Sequence, residues 1–192
     1  MSWFPRVPVL FLLGALLTAC ATPSHRIELT AEPALSPADV GGDRSLNLLV
    51  RDLRPQAEFG RPRQAADGES VIYTEQDVAG VVAAALDRGL QAKGFRPRQT
   101  AELDRRGVQV DLKVLQRQLE GSQFVAEALL ELVAVNESGR PGRRFEAQYR
   151  ARQSEWRPLD GPLVSERVIN GALNRALNQL LEDEKLLDFL AR

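Results

Sequence analysis

Few residues of this chain are of a type and spacing that could do chemistry. Cys20 is the only cysteine, and it closes the run Leu17-Thr18-Ala19-Cys20 behind an apolar stretch from Val9 to Leu17 and a charged start at Arg6. A thiol in that setting is placed for acylation. Glu127 and Glu131 stand four apart in an alternating segment and so project from one face of a strand. A carboxylate pair of this kind serves as acid and base only when burial pushes the two pKa values apart. The expected neighbours, Arg152 opposite Glu127 and Arg150 beside it, favour cross-strand ion pairing instead. His25, the only histidine, lies in a stretch that reads as a solvated tether, which leaves the globular part without a base for Ser/His/Asp or Cys/His catalysis. Lysine occurs only at 93, 113 and 185, and there is no serine in a Gly-flanked nucleophile turn, no P-loop and no GxGxxG. One Cys and one His cannot supply a zinc site. The expectation is therefore no catalytic residue, no metal and no cofactor.

The positioning elements begin with an address. Residues 1–19 have the layout of an export signal whose apolar run is about half the roughly 20 residues that a membrane span needs. Leu17, Thr18, Ala19 and Cys20 match the lipobox of bacterial lipoproteins, in which the thiol takes a diacylglycerol, the signal is cut before it and the new amine is acylated. At roughly 0.8 kcal/mol per buried methylene, three acyl chains anchor a protein almost permanently. Ala21 follows in place of the Asp that holds enteric-type lipoproteins at the inner membrane, so the outer membrane's periplasmic leaflet is the expected location. The balance of 25 Lys+Arg against 26 Asp+Glu in 192 residues carries no basic excess for nucleic acid.

Residues 20–44, with Pro23, Pro33, Pro37 and Gly41-Gly42, read as the lipidated Cys and a Pro/Gly-rich tether, and residues 45–192 as one periplasmic domain. Within it, Leu46 to Val50 and Val71 to Tyr73 read as strands, and residues 75–93 as an amphipathic helix opened by the capping spacing Thr74 to Asp77 and closed at Lys93-Gly94. Gly89 suggests close packing of that helix against a strand. Three alternating segments follow. Val108, Val110, Leu112 and Val114 form one apolar row, Phe124 to Ala134 a second, and Phe145 to Ala151 a third, with a tight turn at Glu120-Gly121-Ser122. Pairing around the turns sets Leu130 between Leu112 and Tyr149. A last helix, capped at Asp160 or Ser165, runs through Leu163, Val168, Leu173 and Leu180 and breaks near Glu182-Asp183-Glu184 before Leu186 to Leu190. The fold class expected is α+β, a two-layer sandwich of a mainly antiparallel sheet of four or five strands with two helices on one face, in the order ββαβββα.

The helix from Leu86 to Gly94-Phe95, the meander from Val108 to Trp156 and the terminal helix ending Leu187-Asp188-Phe189-Leu190, behind a lipobox, together resemble the YajG family of Gram-negative lipoproteins. The resemblance covers most of the mature chain and implies a periplasm-facing, outer-membrane-associated protein without a settled activity. The lipobox, Ala21 and the absence of catalytic residues add the expectation of a non-catalytic module that binds or scaffolds an envelope protein or polymer. The same helix-on-sheet plan is also similar to accessory lipoproteins of lipid-trafficking ABC transport systems. On the wet face of the sheet, Val125, Leu129, Val133 and Val135 make more apolar surface than a free face usually shows: either the tether, the 54–69 loop or a second helix covers them, or with Arg150 and Arg152 they form a partner surface for an envelope component or a homodimer. Arg140, Arg143 and Arg144 cluster at a hairpin, where charges mostly solubilise.

Overall fold

A computed structural model describes residues 24–63, 70–103, 106–136, 143–156 and 160–192. The export signal, the lipobox and Cys20, together with Arg140, lie outside the described residues. The elements are β1 (His25–Arg26), β2 (Ser45–Asp52), β3 (Ile72–Tyr73), α1 (Val78–Ala92), β4 (Arg96–Gln99), β5 (Arg106–Glu120), β6 (Gln123–Asn136), β7 (Arg143–Trp156), α2 (Pro162–Leu181) and α3 (Glu184–Ala191). Five strands form one sheet in the order β4-β2-β5-β6-β7, and β1 pairs in parallel with β3. The long ladders β5-β6 and β6-β7 are antiparallel, whereas β2 runs parallel to both β4 and β5. The α+β sandwich is thus present, with three elements beyond the expected order: β1, β4 and the separate α3. The edge strand β4 contains Pro97, which lacks an N–H and is tolerated because an edge leaves one side of the backbone unpaired. After α2, Glu182 ends the helix and the Asp183 carboxylate caps a separate α3 through Lys185 N and Leu186 N.

The meander pairs as its alternation dictates. Leu130 lies opposite Leu112 and Tyr149, and all three are buried in the core with Val82, Leu86, Leu173 and Leu177 of the covering helices. One row departs from expectation: a bulge at Lys113 shifts the register between Leu112 and Val114. Val114 is turned out, and Leu115 and Arg117 take the inward positions, because one extra residue flips every following side chain. Gly89 also has a different neighbour. A Cβ there would come within 2.4 Å of Leu181 Cδ1, so the glycine admits α2 against α1 and no strand. At the end of α1, Gly94 adopts φ +84° and Phe95 N–H returns to the Leu90 carbonyl, a glycine-closed helix end. The helix starts later than expected, at Val78 with Asp77 as cap residue, because Gln76 is drawn away to another partner.

That partner is the segment expected to be a tether. Residues 24–44 lie packed along the helices: Ile27, Leu29 and Ala31 are core residues, 3–4% exposed. The segment, called the arm below, is extended, and side-chain amides stand in for neighbouring strands. Gln76 bonds both backbone groups of Leu29, at 2.6 and 3.2 Å. On the other side Asn170 holds Thr30 N and Glu28 O, and one helical turn on, Asn174 holds Glu32 N and Thr30 O. The four-residue helical spacing, roughly 6 Å, matches two residues of extended chain. Arg88 and Lys93 bind the carbonyls of Ala31 and Ser36, and Lys93 also pairs with Glu182 at 2.9 Å. The tether expectation fails because its short alternation, Ile27 and Leu29 against Glu28 and Thr30, is the pattern of a half-buried strand.

Leu130→Ala should cost about 2–5 kcal/mol in denaturant melts, since the fully buried site cannot collapse. Leu129→Ala, on the face without helices, should cost clearly less, because only flexible side chains cover it; equal losses would mean that a rigid layer covers both faces.

Candidate functional site

Two places in the fold collect polar chemistry, and they differ in kind. The first is a buried cluster where the arm begins. Because of the bulge, Arg117 points inward, its side chain 1% exposed, and its guanidinium meets Asp160 in a two-pronged pair at 2.6 and 2.9 Å. It also donates to Ser165 Oγ at 2.9 Å and to the Arg61 carbonyl, and its plane lies 4.3 Å from the centre of the Phe124 ring. Arg117 Nε is left without a partner. The Asp160 carboxylate further accepts from Arg63 N and Gly161 N, the latter at the entrance of α2. Neither of the two candidate caps of α2, Asp160 or Ser165, takes that place: Gly161 is the cap residue and Ser165 lies inside the first turn.

His25 completes this cluster. It is 7% exposed, with Nδ1 3.2 Å from Ser165 Oγ, and so is neither solvated nor remote from a serine. The expectation that no base stands near a serine therefore fails. Ser165 is fully buried, and its single hydroxyl proton is donated to the Gly161 carbonyl. Arg117 donates to the same oxygen, and His25 Nδ1 lies 3.2 Å from it. A serine nucleophile needs an accessible oxygen and a base that takes its proton, whereas this oxygen is buried and the Gly161 carbonyl competes with the imidazole for the proton. Asp160, which would orient the base in a triad, is committed to Arg117. The cluster pins the arm, the 59–63 loop, β5 and the start of α2 to one another.

Burial disfavours the imidazolium and lowers the pKa of His25; nearby Asp160 opposes this and Arg117 adds to it. Burial alone would raise Asp160, yet its bonds to Arg117 and to Arg63 N hold it below the usual carboxylate range.

The second place is the sheet face away from the helices. Glu127 faces Arg152 in register, as expected, but its ion pair is made diagonally with Arg150 at 2.7 Å, while Arg152 binds Glu120. Glu131 accepts from Gln148 at 3.0 Å and lies 3.7 Å from Lys113. Arg51 and Asp111 add a two-pronged pair at 2.7 and 2.6 Å. The two glutamates are thus each engaged by a cation and do not form an acid/base pair. Beneath this lattice, Val125 and Leu129 are 6% and 8% exposed, and Val133 and Val135 are half-buried. The apolar row is shielded by the stems of neighbouring charged side chains. Arg150 and Arg152 remain exposed. The arm lies on α2, and the loop after β2 borders this face only beside Lys113, Val114 and Gln116. Sequence reasoning missed Arg117, Asp160 and Ser165 as a cluster with His25; the one signal available was Arg117 at a position of the apolar alternation once a bulge is allowed.

A family model described as "uncharacterized lipoprotein" matches residues 33–191. Among solved structures, a Xanthomonas campestris protein of the DUF330 family is similar at 13% identity and TM-score 0.53, covering 82% of this chain and 94% of that one. A neuraminyllactose-binding hemagglutinin homolog from Helicobacter pylori is similar at 10% identity and TM-score 0.52, covering 86% and 97%. At these identities the likeness is one of fold. No curated protein matches the chain significantly.

Breaking the buried pair by Arg117→Met should cost about 3–5 kcal/mol, since it strands the Asp160 charge, whereas Arg117→Met with Asp160→Leu should recover most of that loss in the same melts. Acid should loosen the arm. His25 has a folded pKa below its unfolded value, so its contribution is complete above about pH 6.5 and is lost as pH falls toward the folded value. Asp160 acts in the same direction at lower pH, losing its contribution as pH falls through its depressed folded pKa. The protection factor of the Ile27 N–H, relative to the intrinsic exchange rate at each pH, should fall between pH 7 and 5, and His25→Gln should flatten that dependence.

Proposed function

The chain belongs to the YajG family of uncharacterized lipoproteins, and on that footing we propose that it is a lipid-anchored, non-catalytic module that binds or scaffolds an envelope component at the periplasmic leaflet of the outer membrane. The observation that carries this reading is the asymmetry of the sheet. All three helices and the arm lie on one side, while β5, β6 and β7 present a second face that none of these elements covers. That face is rigid, since two long antiparallel ladders hold it, and it is patterned, with Arg150 and Arg152 over the shielded row of Val125, Leu129, Val133 and Val135. Such a surface suits recognition of a partner with complementary charge. The full burial of Ser165 beside His25 supports a non-catalytic role. Among the described residues no helix is long and apolar enough to cross a membrane, in keeping with attachment through Cys20.

Labelled palmitate should enter the wild-type protein and fail to enter Cys20→Ala, which should leave the outer-membrane fraction; a Cys20→Ala protein that stays there would sink the anchoring. A photoreactive residue at Val133 or Arg150 should crosslink in living cells to a discrete partner, and one at Glu32 on the arm should not. Adducts at Glu32 alone would move the binding surface to the helical side.

A further inference from the structure

We propose that the end of the domain where the arm begins is a membrane-docking surface, and that its occupant is the phospholipid leaflet holding the acyl chains of Cys20. This rests on the anchored reading above and adds to it an orientation and a set of inserting side chains. The first observation is the length of the leash. The arm is fastened from its start, since Ser24 Oγ accepts from Val71 N and His25 N donates to the Val71 carbonyl. Three residues, Ala21, Thr22 and Pro23, then separate Cys20 from Ser24, a reach of at most about 14 Å over the four Cα–Cα steps. A free tether running on to residue 44 would have allowed the domain to stand well clear of the headgroups; this one does not.

The second observation is what lies at that end. His25 touches Ser165 in the first turn of α2, the β5-β6 hairpin turns at Gly121, and Trp156 ends β7 opposite Gln123. Arm start, helix entrance, hairpin tip and strand end therefore share one pole. Large hydrophobic side chains are exposed there: Leu119 at 44%, Trp156 at 65% and Leu163 at 74%. Among the described residues only Leu53 is comparable elsewhere. The loop bonded to Arg117 and Asp160 adds the exposed Arg61 and Arg63 at this pole. Glu120 and Glu155 are paired there with Arg152 and Arg167. An indole and leucines ringed by arginines are the composition that settles at the headgroup level, with the guanidinium groups on lipid phosphates. β5 has 15 residues, so the opposite pole, marked by Arg144, stands roughly 45–50 Å away.

Removal of the signal takes Trp3 with it and leaves Trp156 as the only indole, a built-in probe. The lipidated full-length protein, reconstituted on phosphatidylethanolamine/phosphatidylglycerol vesicles with brominated acyl chains, should float with them. Its tryptophan emission should be blue-shifted and quenched about twofold or more relative to unbrominated vesicles. With Trp156→Phe and Arg144→Trp together, the probe sits at the far pole and should stay unquenched. Leu119→Glu with Leu163→Glu, folded by its melting curve, should still float and lose most of the Trp156 quenching. A wild-type protein that floats with Trp156 unquenched overturns the docking surface and leaves the anchor standing. A protein that does not float overturns the anchor reading and the docking surface together.

Discussion

The buried pair of Arg117 and Asp160 is the constraint on which the rest of the structure depends. A guanidinium and a carboxylate taken almost wholly out of water lose several kcal/mol of hydration each, and only near-complete hydrogen bonding in a fixed geometry offsets that loss. Here the bonds are drawn from every nearby element: the Arg61 carbonyl and Arg63 N–H from the loop, Gly161 N–H and Ser165 from the start of α2, and the Phe124 ring from β6. Displacing any of them exposes or strands a charge, so the pair fixes how loop, helix and sheet sit together. His25 joins through Ser165, which extends the same constraint to the arm.

The arm shows how a segment with few apolar residues can still be part of a domain. Three small contributions from Ile27, Leu29 and Ala31 would not by themselves offset the ordering of some twenty residues. The amides of Gln76, Asn170 and Asn174 satisfy the arm's backbone as a strand ladder would, so that burial carries no cost of unpaired N–H and C=O groups. At its far end Lys93 plays the part that Arg117 plays at the start, and its hydrogen bond holds the Glu182 carboxyl below its ordinary range. Tyr149 joins sheet to helix in the same region: burial, with the neighbouring Asp183 carboxylate that accepts its hydroxyl proton, raises its pKa and keeps it a donor.

An arm fastened at both ends changes what the domain can do. It ties residues 24–44 into the domain, so that the chain enters the fold at Ser24 and not near residue 44. The two faces of the sheet differ accordingly: one is spent on the core, and the helices and the arm leave the other uncovered.

The residues determined by themselves every feature that depends on near neighbours in sequence. Strict alternation in β5, β6 and β7 fixed which side chains share a face, and the turn at Gly121 fixed the register that places Leu130 between Leu112 and Tyr149. The helical periods of α1 and α2 and the break before α3 were legible for the same reason. The tertiary structure alone decided the rest. A bulge is one residue in a strand that looks regular, so the inward turn of Arg117 and the outward turn of Val114 could not be read from the alternation. The arm's amide partners Gln76, Asn170 and Asn174 lie 47 to 144 residues away, and amide side chains that mimic a strand leave no period in the sequence. His25 was legible as a lone histidine but not as a neighbour of Ser165, 140 residues on, because such proximity is set by the packing of α2 on the sheet and by nothing local.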